Sequence, residues 1–365
     1  MSTPIVPKAL EPGQTIAFIS PSARINNRYP DVMKRATALL KSHGYQVREL
    51  FSTDTDIQSS ISNRLSELRT AFSDPEISAI ICTVGGPSFT ELLPALVADT
   101  QLHATIRANP KIVVGYSDIT GLHWFLHALT GLRTFYGPGA IPELGEAATT
   151  TSKSVDDEED TPVGFCAKHL LRAIASREPV GDVARSKTYA PKIAPFFTAP
   201  GSTEPLELAP TPGWVWVRRG RALGPLFGGC LTVMARLGGV QRIVPSWRGR
   251  IVFLETAIGD DLLGGNPLPR VRAGIADLIA QGVFEEAVGL VVGRPFGYDS
   301  PELREQYIGV IKELLCEGRF AARTFPILFG VDIGHTSPMV TLPFDALAEL
   351  DSQQDLFAIL EAGVI

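Results

Sequence analysis

A surplus of positive charge is missing. The chain of 365 residues carries 33 lysines and arginines against 39 aspartates and glutamates, a formal charge of −6. This excludes a strongly basic nucleic-acid binder, because no excess of cations is present to neutralise phosphates. Long hydrophobic runs are missing too, and none approaches the roughly 20 residues needed to span a bilayer, so no membrane partner is expected. The N-terminus lacks a basic segment leading into an apolar stretch, and no secretory signal is read there. Cysteine is scarce: Cys82, Cys166, Cys230 and Cys316 are scattered and form no CxxC pair. That spacing argues against a zinc site or a disulfide framework. Together these absences lead to the expectation of a soluble cytoplasmic protein.

What is present describes an ordered α/β chain. Hydrophobic residues make up 45% and charged residues 20%, a globular composition. The length favours two domains over one. In the first half, short apolar runs at 15–19, 46–50, 79–84 and 111–115 alternate with helical stretches at 29–43, 61–72 and 119–129. Gly44 stands where the first helix should stop. Ile61, Leu65, Leu68 and Phe72 share one helical face. The run 79–84 is apolar throughout, as in a central parallel strand covered on both faces. This alternation predicts an open, mostly parallel sheet. Residues 146–160, rich in Ser, Thr, Ala and acidic side chains, read as a solvated insertion. A helix over 166–175 and a proline-rich stretch over 191–212 mark the crossover. The second half offers buried strands at 251–255, 288–293 and 326–329, a helix over 271–281 and a mixed pattern over 344–360. The expected division is 1–150, 151–205 and 206–365.

Three turns at strand ends carry the chemistry. After 79–84 comes Gly85-Gly86-Pro87-Ser88-Phe89-Thr90-Glu91, running into a helix expected near Thr90. Glycines let such a turn bring backbone N–H groups close to a ligand, and a serine there resembles a nucleophile elbow, although GxSxG is absent. A plain turn capped by Ser88 or Thr90 is the competing reading. Glu255 ends the run Ile251-Val252-Phe253-Leu254-Glu255, at the sheet edge where α/β proteins present functional groups. His335, in Gly334-His335-Thr336-Ser337, has the turn best suited to a general base among the six histidines. Ser, His and Glu in these positions suggest a catalytic triad. Tyr116, Ser117 and Asp118 follow another buried run, and either line a pocket or close a turn. Trp214 and Trp216 alternate on a strand, where ordinary packing competes with a stacking platform.

The ordered motifs resemble the LD-carboxypeptidase family. They include Ser20-Pro21-Ser22, Gly85-Gly86 with Leu92-Leu93-Pro94, Gly115-Tyr116-Ser117-Asp118-Ile119-Thr120 and Thr134-Phe135-Tyr136-Gly137-Pro138. Gly228-Gly229-Cys230-Leu231, Leu254-Glu255-Thr256, Gly293-Arg294-Pro295 and Gly334-His335-Thr336 continue the series, and the Gly-Gly-Cys-Leu and Leu-Glu-Thr forms resemble the microcin-immunity branch more. The resemblance implies an N-terminal flavodoxin-like parallel-sheet domain and a C-terminal α/β domain of swivelling type, with the active site between them. It further implies a homodimer without metal or cofactor that hydrolyses an amide in a small-molecule or short peptide-like substrate. Glu255 and His335 fall on the family's Glu and His. An ungapped match from Gly85 to Pro94 puts Phe89 on the elbow serine and Ser88 one residue before it.

Two readings of the turn follow. A one-residue shift makes Ser88 the nucleophile, with Gly86 and Phe89 N–H groups as an oxyanion hole and Gly85, Glu91, Tyr116, Ser117 and Asp118 around the substrate. Alternatively the nucleophile is lost. The scaffold then performs His/Glu acid–base chemistry such as an isomerisation or cyclisation, or only binds a small molecule as a self-protection protein. Glu91 stands where the family often has an arginine, which would disfavour a carboxylate substrate if Glu91 faces the pocket.

Overall fold

The computed structural model describes residues 3–147 and 161–365. Most of the acidic insertion expected at 146–160 therefore lies outside the described residues, and only Glu146 and Ala147 of it are described.

Strands β1 (Thr15–Ile19), β3 (Ile77–Cys82) and β4 (Ile112–Gly115) are built almost wholly from buried apolar residues, as a sheet covered on both faces requires. With β2 (Gln46–Leu50) and β5 (Phe135–Tyr136) they form a parallel sheet in the order β5-β4-β3-β1-β2. This is the flavodoxin-like order, whose switch point lies between β1 and β3 and opens a crevice at the carboxyl ends of the strands. Helices Pro30–Ser42, Ile57–Ser73 and Thr120–Thr130 connect these strands. Asp56 caps the second helix, and Gly44, at a φ of 88°, follows the end of the first.

The second sheet has eight strands, β6-β16-β15-β10-β11-β12-β13-β9. They are β6 (Gly181–Asp182), β9 (Val215–Arg218), β10 (Arg221–Cys230), β11 (Ile251–Glu255), β12 (Gly289–Gly293), β13 (Ile327–Val331), β15 (Leu347–Asp351) and β16 (Leu356–Ile359). β7 (Thr188–Tyr189) and β8 (Ala209–Pro210) make a separate small pair. The ten-residue β10 pairs antiparallel with β15 through its first half and parallel with β11 through its second. Gly228 permits that second pairing, since a Cβ there would stand 1.7 Å from Phe253 O.

The two sheets do not separate cleanly along the chain. β14 (Leu342–Pro343), although late in sequence, pairs antiparallel with β5 and becomes the edge of the first sheet. Trp124 Nε1 donates to Gly228 O at 3.0 Å, and Cys230 N donates to Thr120 Oγ1 at 3.0 Å. One apolar core runs through both halves. Among the described residues, no helix is long and apolar enough to cross a membrane.

Candidate active site

The carboxyl ends of β1, β3, β4, β11 and β13 meet along this seam, around a cavity of about 560 Å³. Glu255 closes β11 and is buried. His335 follows β13, and its Nδ1 lies 2.7 Å from Glu255 Oε2. Glu255 also accepts the His335 backbone N–H at 3.2 Å. Gly334 allows this approach: its φ is 78°, and a Cβ there would overlap the Glu255 carboxyl. Because a carboxylate only accepts, Nδ1 carries a proton in either state, and Nε2 keeps its lone pair once the imidazole is neutral.

The electrostatics follow from this contact. Burial pulls the imidazole pKa down, but Glu255, helped by Glu143, overcomes burial and leaves it above its ordinary value. Burial pushes Glu255 up, while His335 and Tyr136 outweigh it and hold the carboxyl below its ordinary value. The ion-paired state is thus the favoured one.

Ser117 lines this cavity, as do Thr336 and Ser337. It lines the same wall as His335 and Gly85, directly after β4, with φ at 63°. A non-glycine residue in the left-handed region needs support from its surroundings. Ser117 N–H donates to Tyr136 Oη at 3.0 Å, and Thr120 Oγ1 donates to Ser117 O at 2.7 Å. Tyr136 in turn donates to Glu255 Oε1 at 2.6 Å, so one phenol links the strained turn to the buried carboxylate. A strand, a residue with positive φ and then a helix, Thr120–Thr130, make the geometry of a nucleophile elbow.

Ser88 is not brought to the imidazole. Its Oγ accepts from Arg64 Nη1 at 3.2 Å, its backbone N–H donates to Ser22 Oγ, and it is absent from the cavity wall. The one-residue shift expected of this turn does not bring Ser88 to the cavity in this structure. Buried Arg64 holds the Ser88 carbonyl and hydroxyl and pairs with Glu91, drawing the segment away from the cleft. Glu91 consequently does not face the cavity, and the charge argument against a carboxylate substrate falls with it.

Phe89 is buried against Gly121, and its N–H donates to Asp118 Oδ2 at 2.8 Å, so it is not free to bind an oxyanion. Asp118 is likewise no substrate ligand through its side chain. It is buried and accepts from Ser22 Oγ at 2.5 Å, from Phe89 N and from Arg236. Gly85, Gly86 and Tyr116 do line the cavity. The Tyr116 ring stands edge-on to His335 at 5.1 Å, and its hydroxyl donates to Glu143 at 2.7 Å. Trp214 and Trp216 lie elsewhere: Arg185 stacks on Trp214, and Trp216 donates to Asp355.

Sequence reasoning missed Tyr136, Glu143 and Glu146, and gave Ser117 only a binding role. The signal for Ser117 was available, as Gly115-Tyr116-Ser117-Asp118 passes from a wholly buried run straight into a helix. Nothing local marks Tyr136 or Glu143, whose partners are distant in sequence. Cys230 Sγ also lies within 4.8 Å of ligand atoms on Glu255 and His335, because the pairing of β10 with β11 sets Cys230 beside Glu255. Burial, with the Glu255 charge adding to it, pushes its thiol pKa up.

Comparison with known proteins agrees with this architecture. Residues 16–137 match the LD-carboxypeptidase N-terminal domain, and residues 223–350 match the C-terminal domain. The microcin C7 self-immunity protein MccF of Escherichia coli is 26% identical over 99% of this chain and 97% of its own length. A probable murein peptide carboxypeptidase of Bacillus subtilis is 28% identical over 98% of this chain and 95% of its own length. An MccF-like protein from Bacillus anthracis superposes with a TM-score of 0.80 at 26% identity, covering 98% of this chain and 99% of that one. MccF bound to glutamyl sulfamoyl guanosine superposes with a TM-score of 0.81 at 24% identity, over 99% and 100% of the two chains, which speaks for the fold alone. With both of its halves matched in order across most of its length, the chain belongs to the LD-carboxypeptidase family.

Proposed function

We propose that this protein is a serine hydrolase that cleaves an amide or peptide-like bond in a small molecule, with Ser117 as nucleophile, His335 as general base and Glu255 as its partner. The observation that supports the reading is a serine in the left-handed conformation lining the same cavity as an imidazole whose Nδ1 is tied to a buried carboxylate. His335 Nε2 takes the Ser117 hydroxyl proton as Oγ bonds to the carbonyl carbon. The carbonyl oxygen becomes an oxyanion facing the N–H groups of Asp118 and Gly86. The imidazolium then gives its proton to the departing amine, and water, activated by the same nitrogen, hydrolyses the acyl-serine. Each well-placed oxyanion donor contributes about 3 kcal/mol to such a transition state.

The alternative without a nucleophile rests on Phe89 at the elbow position and on Glu91 in place of the family's arginine. A serine lining the cavity at Ser117 favours the hydrolase reading over it. Family likeness extends the proposal to a cofactor-free homodimer, with the assembly checked by sedimentation. Fluorophosphonate labelling with peptide mapping tests the chemistry. Label on Ser117, abolished by Ser117→Ala, supports the assignment; label on Ser88, or none, overturns it.

A further inference from the structure

Cys230 holds a buried thiol that the proposed mechanism leaves unused. The parallel register sets Cys230 opposite Glu255 at the carboxyl ends of β10 and β11, and His335 arrives from the turn after β13. One ligand atom from each of the three residues lies within 4.8 Å of the others. Cys230 and Glu255 are each 1% exposed, so the cluster is a built interior feature rather than a chance gathering at the surface. His335 lines the cavity and connects the set to solvent. Spacing along the chain carries no sign of it, because three separate strand ends assemble it.

The donor chemistry selects the metal. A thiolate, an imidazole and a carboxylate together suit Zn2+, whereas Mg2+ and Ca2+ take oxygen ligands. Around a tetrahedral Zn2+, with bonds of about 2.0–2.3 Å, ligand atoms stand roughly 3.3–3.7 Å apart. The pair of His335 Nδ1 and Glu255 Oε2 has to open from its 2.7 Å. The sulfur has to close in by at most about 1 Å. The contact of Cys230 Sγ with Thr232 Oγ1 is long, at 3.6 Å, so little is lost when the sulfur turns.

We propose that Cys230, Glu255 and His335 form an inhibitory Zn2+ site, in which the metal replaces the proton between His335 Nδ1 and Glu255. The thiol proton leaves to solvent, as it does from a coordinated thiol. The single proton of the neutral imidazole passes from Nδ1 to Nε2. The two charges of Zn2+ are cancelled by one thiolate and one carboxylate, so the interior gains no net charge. An Nε2 that carries a proton cannot take one from Ser117, and the general base is switched off. The ion is therefore an inhibitor and not a cofactor. Inhibition rests on the hydrolase reading, but binding of the metal does not.

Zinc-edge X-ray absorption on the full chain, loaded with Zn2+, supplies the test. A sulfur shell at about 2.3 Å is expected beside lighter nitrogen and oxygen ligands. The shell should persist in Cys316→Ser, which removes the one cysteine that is not fully buried. Cys230→Ser should weaken Zn2+ binding at least about 100-fold in competition with a chromophoric chelator, since loss of a ligand exceeds loss of its supporting shell. Bound Zn2+ should slow fluorophosphonate labelling of Ser117 at least about tenfold, with the rate restored by EDTA. No sulfur shell in Cys316→Ser, equal affinity in Cys230→Ser and wild type, or labelling unslowed by bound Zn2+ would each overturn the site. Metal-free protein separates the two ideas: labelled Ser117 without sulfur ligation refutes the metal site alone, whereas sulfur ligation in a protein that never labels refutes the nucleophile alone.

Discussion

Substituting alanine for Gly85 puts a methyl group against the proposed nucleophile. A Cβ at this position would stand 2.6 Å from Ser117 Cβ and 2.8 Å from its Oγ, with Asp118 N at 3.2 Å. Carbon atoms in contact settle near roughly 3.5–4.0 Å, so about 1 Å of separation has to be created. Gly85 does not occupy the left-handed region, which removes backbone strain as a competing cause. Misplacing a reacting group by about 1 Å costs on the order of 100-fold in rate, or about 2.7 kcal/mol of activation free energy. Overpacking costs about 1–3 kcal/mol of stability, within the margin of a folded domain. The assay is the rate constant for fluorophosphonate labelling of Ser117, read beside a urea melt. Gly213→Ala is the control, because nothing lies within 4 Å of a Cβ there. Labelling of Gly85→Ala at the wild-type rate, in a protein of wild-type stability, would refute the placement of Ser117 beside this turn.

Tyr136→Phe removes the donor to Glu255 and the acceptor for Ser117 N–H together; about 2–3 kcal/mol of stability should be lost in urea melts, with labelling slowed beyond any loss of folded protein. Ser88→Ala removes only a bond to Arg64, so labelling should be unchanged and stability should fall by about 0.5–1.5 kcal/mol. Because the base must be neutral, the labelling rate should rise with pH through the raised imidazole pKa of His335 and then level off. Glu255→Gln withdraws the charge that favours the imidazolium, and should move that limb to lower pH while lowering the plateau. The pair also gives stability a window. The His335 contribution is complete below its ordinary 6.5 and is lost as pH rises through the raised value, whereas that of Glu255 is complete above its ordinary 4.5 and is lost as pH falls through the lowered value. A wild-type melt series that is flat from acid to alkaline pH would contradict this coupling.

The strands that frame the cleft were legible because burial on both faces leaves a continuous apolar run. Ile251–Glu255 was read with its observed bounds, and Ile112–Gly115 to within one residue. β10 was not read, because Gly224, Pro225, Gly228 and Gly229 break the apolar pattern of a central strand. Those glycines are required by the close approach of Gly249 O, Phe253 and Thr120 respectively, a tertiary demand without local trace. Helix Pro301–Leu315 went unread although Ser300 caps it and proline opens it, signals that merited weight. At the site, Glu255 and His335 stood out as polar residues at strand ends. The proposed serine differs from the one expected from sequence because two turns share the same strand-to-helix context, and the glycine-rich one draws the assignment. Arg64 separates them: from a helix distant in sequence, it holds Ser88 and Glu91 away from the cavity that Ser117 lines.

The seam between the sheets explains why the proposed nucleophile and its base are held together despite arising in different halves of the chain. Ser117 belongs to the first sheet, whereas Glu255 and His335 belong to the second, so their alignment depends on how rigidly the sheets are joined. Thr120 is engaged on both sides: its hydroxyl donates to Ser117 O and accepts from Cys230 N–H, which is paired in register with Glu255. Tyr136 makes a second such link through Ser117 N–H and Glu255. Trp124 and β14 add joints farther from the chemistry. A hinge between two independent domains would let the hydroxyl and imidazole drift by more than the roughly 0.5 Å that catalysis tolerates. Buried hydrogen bonds across the seam, each satisfied at both ends, instead make the position of the serine a property of the common core.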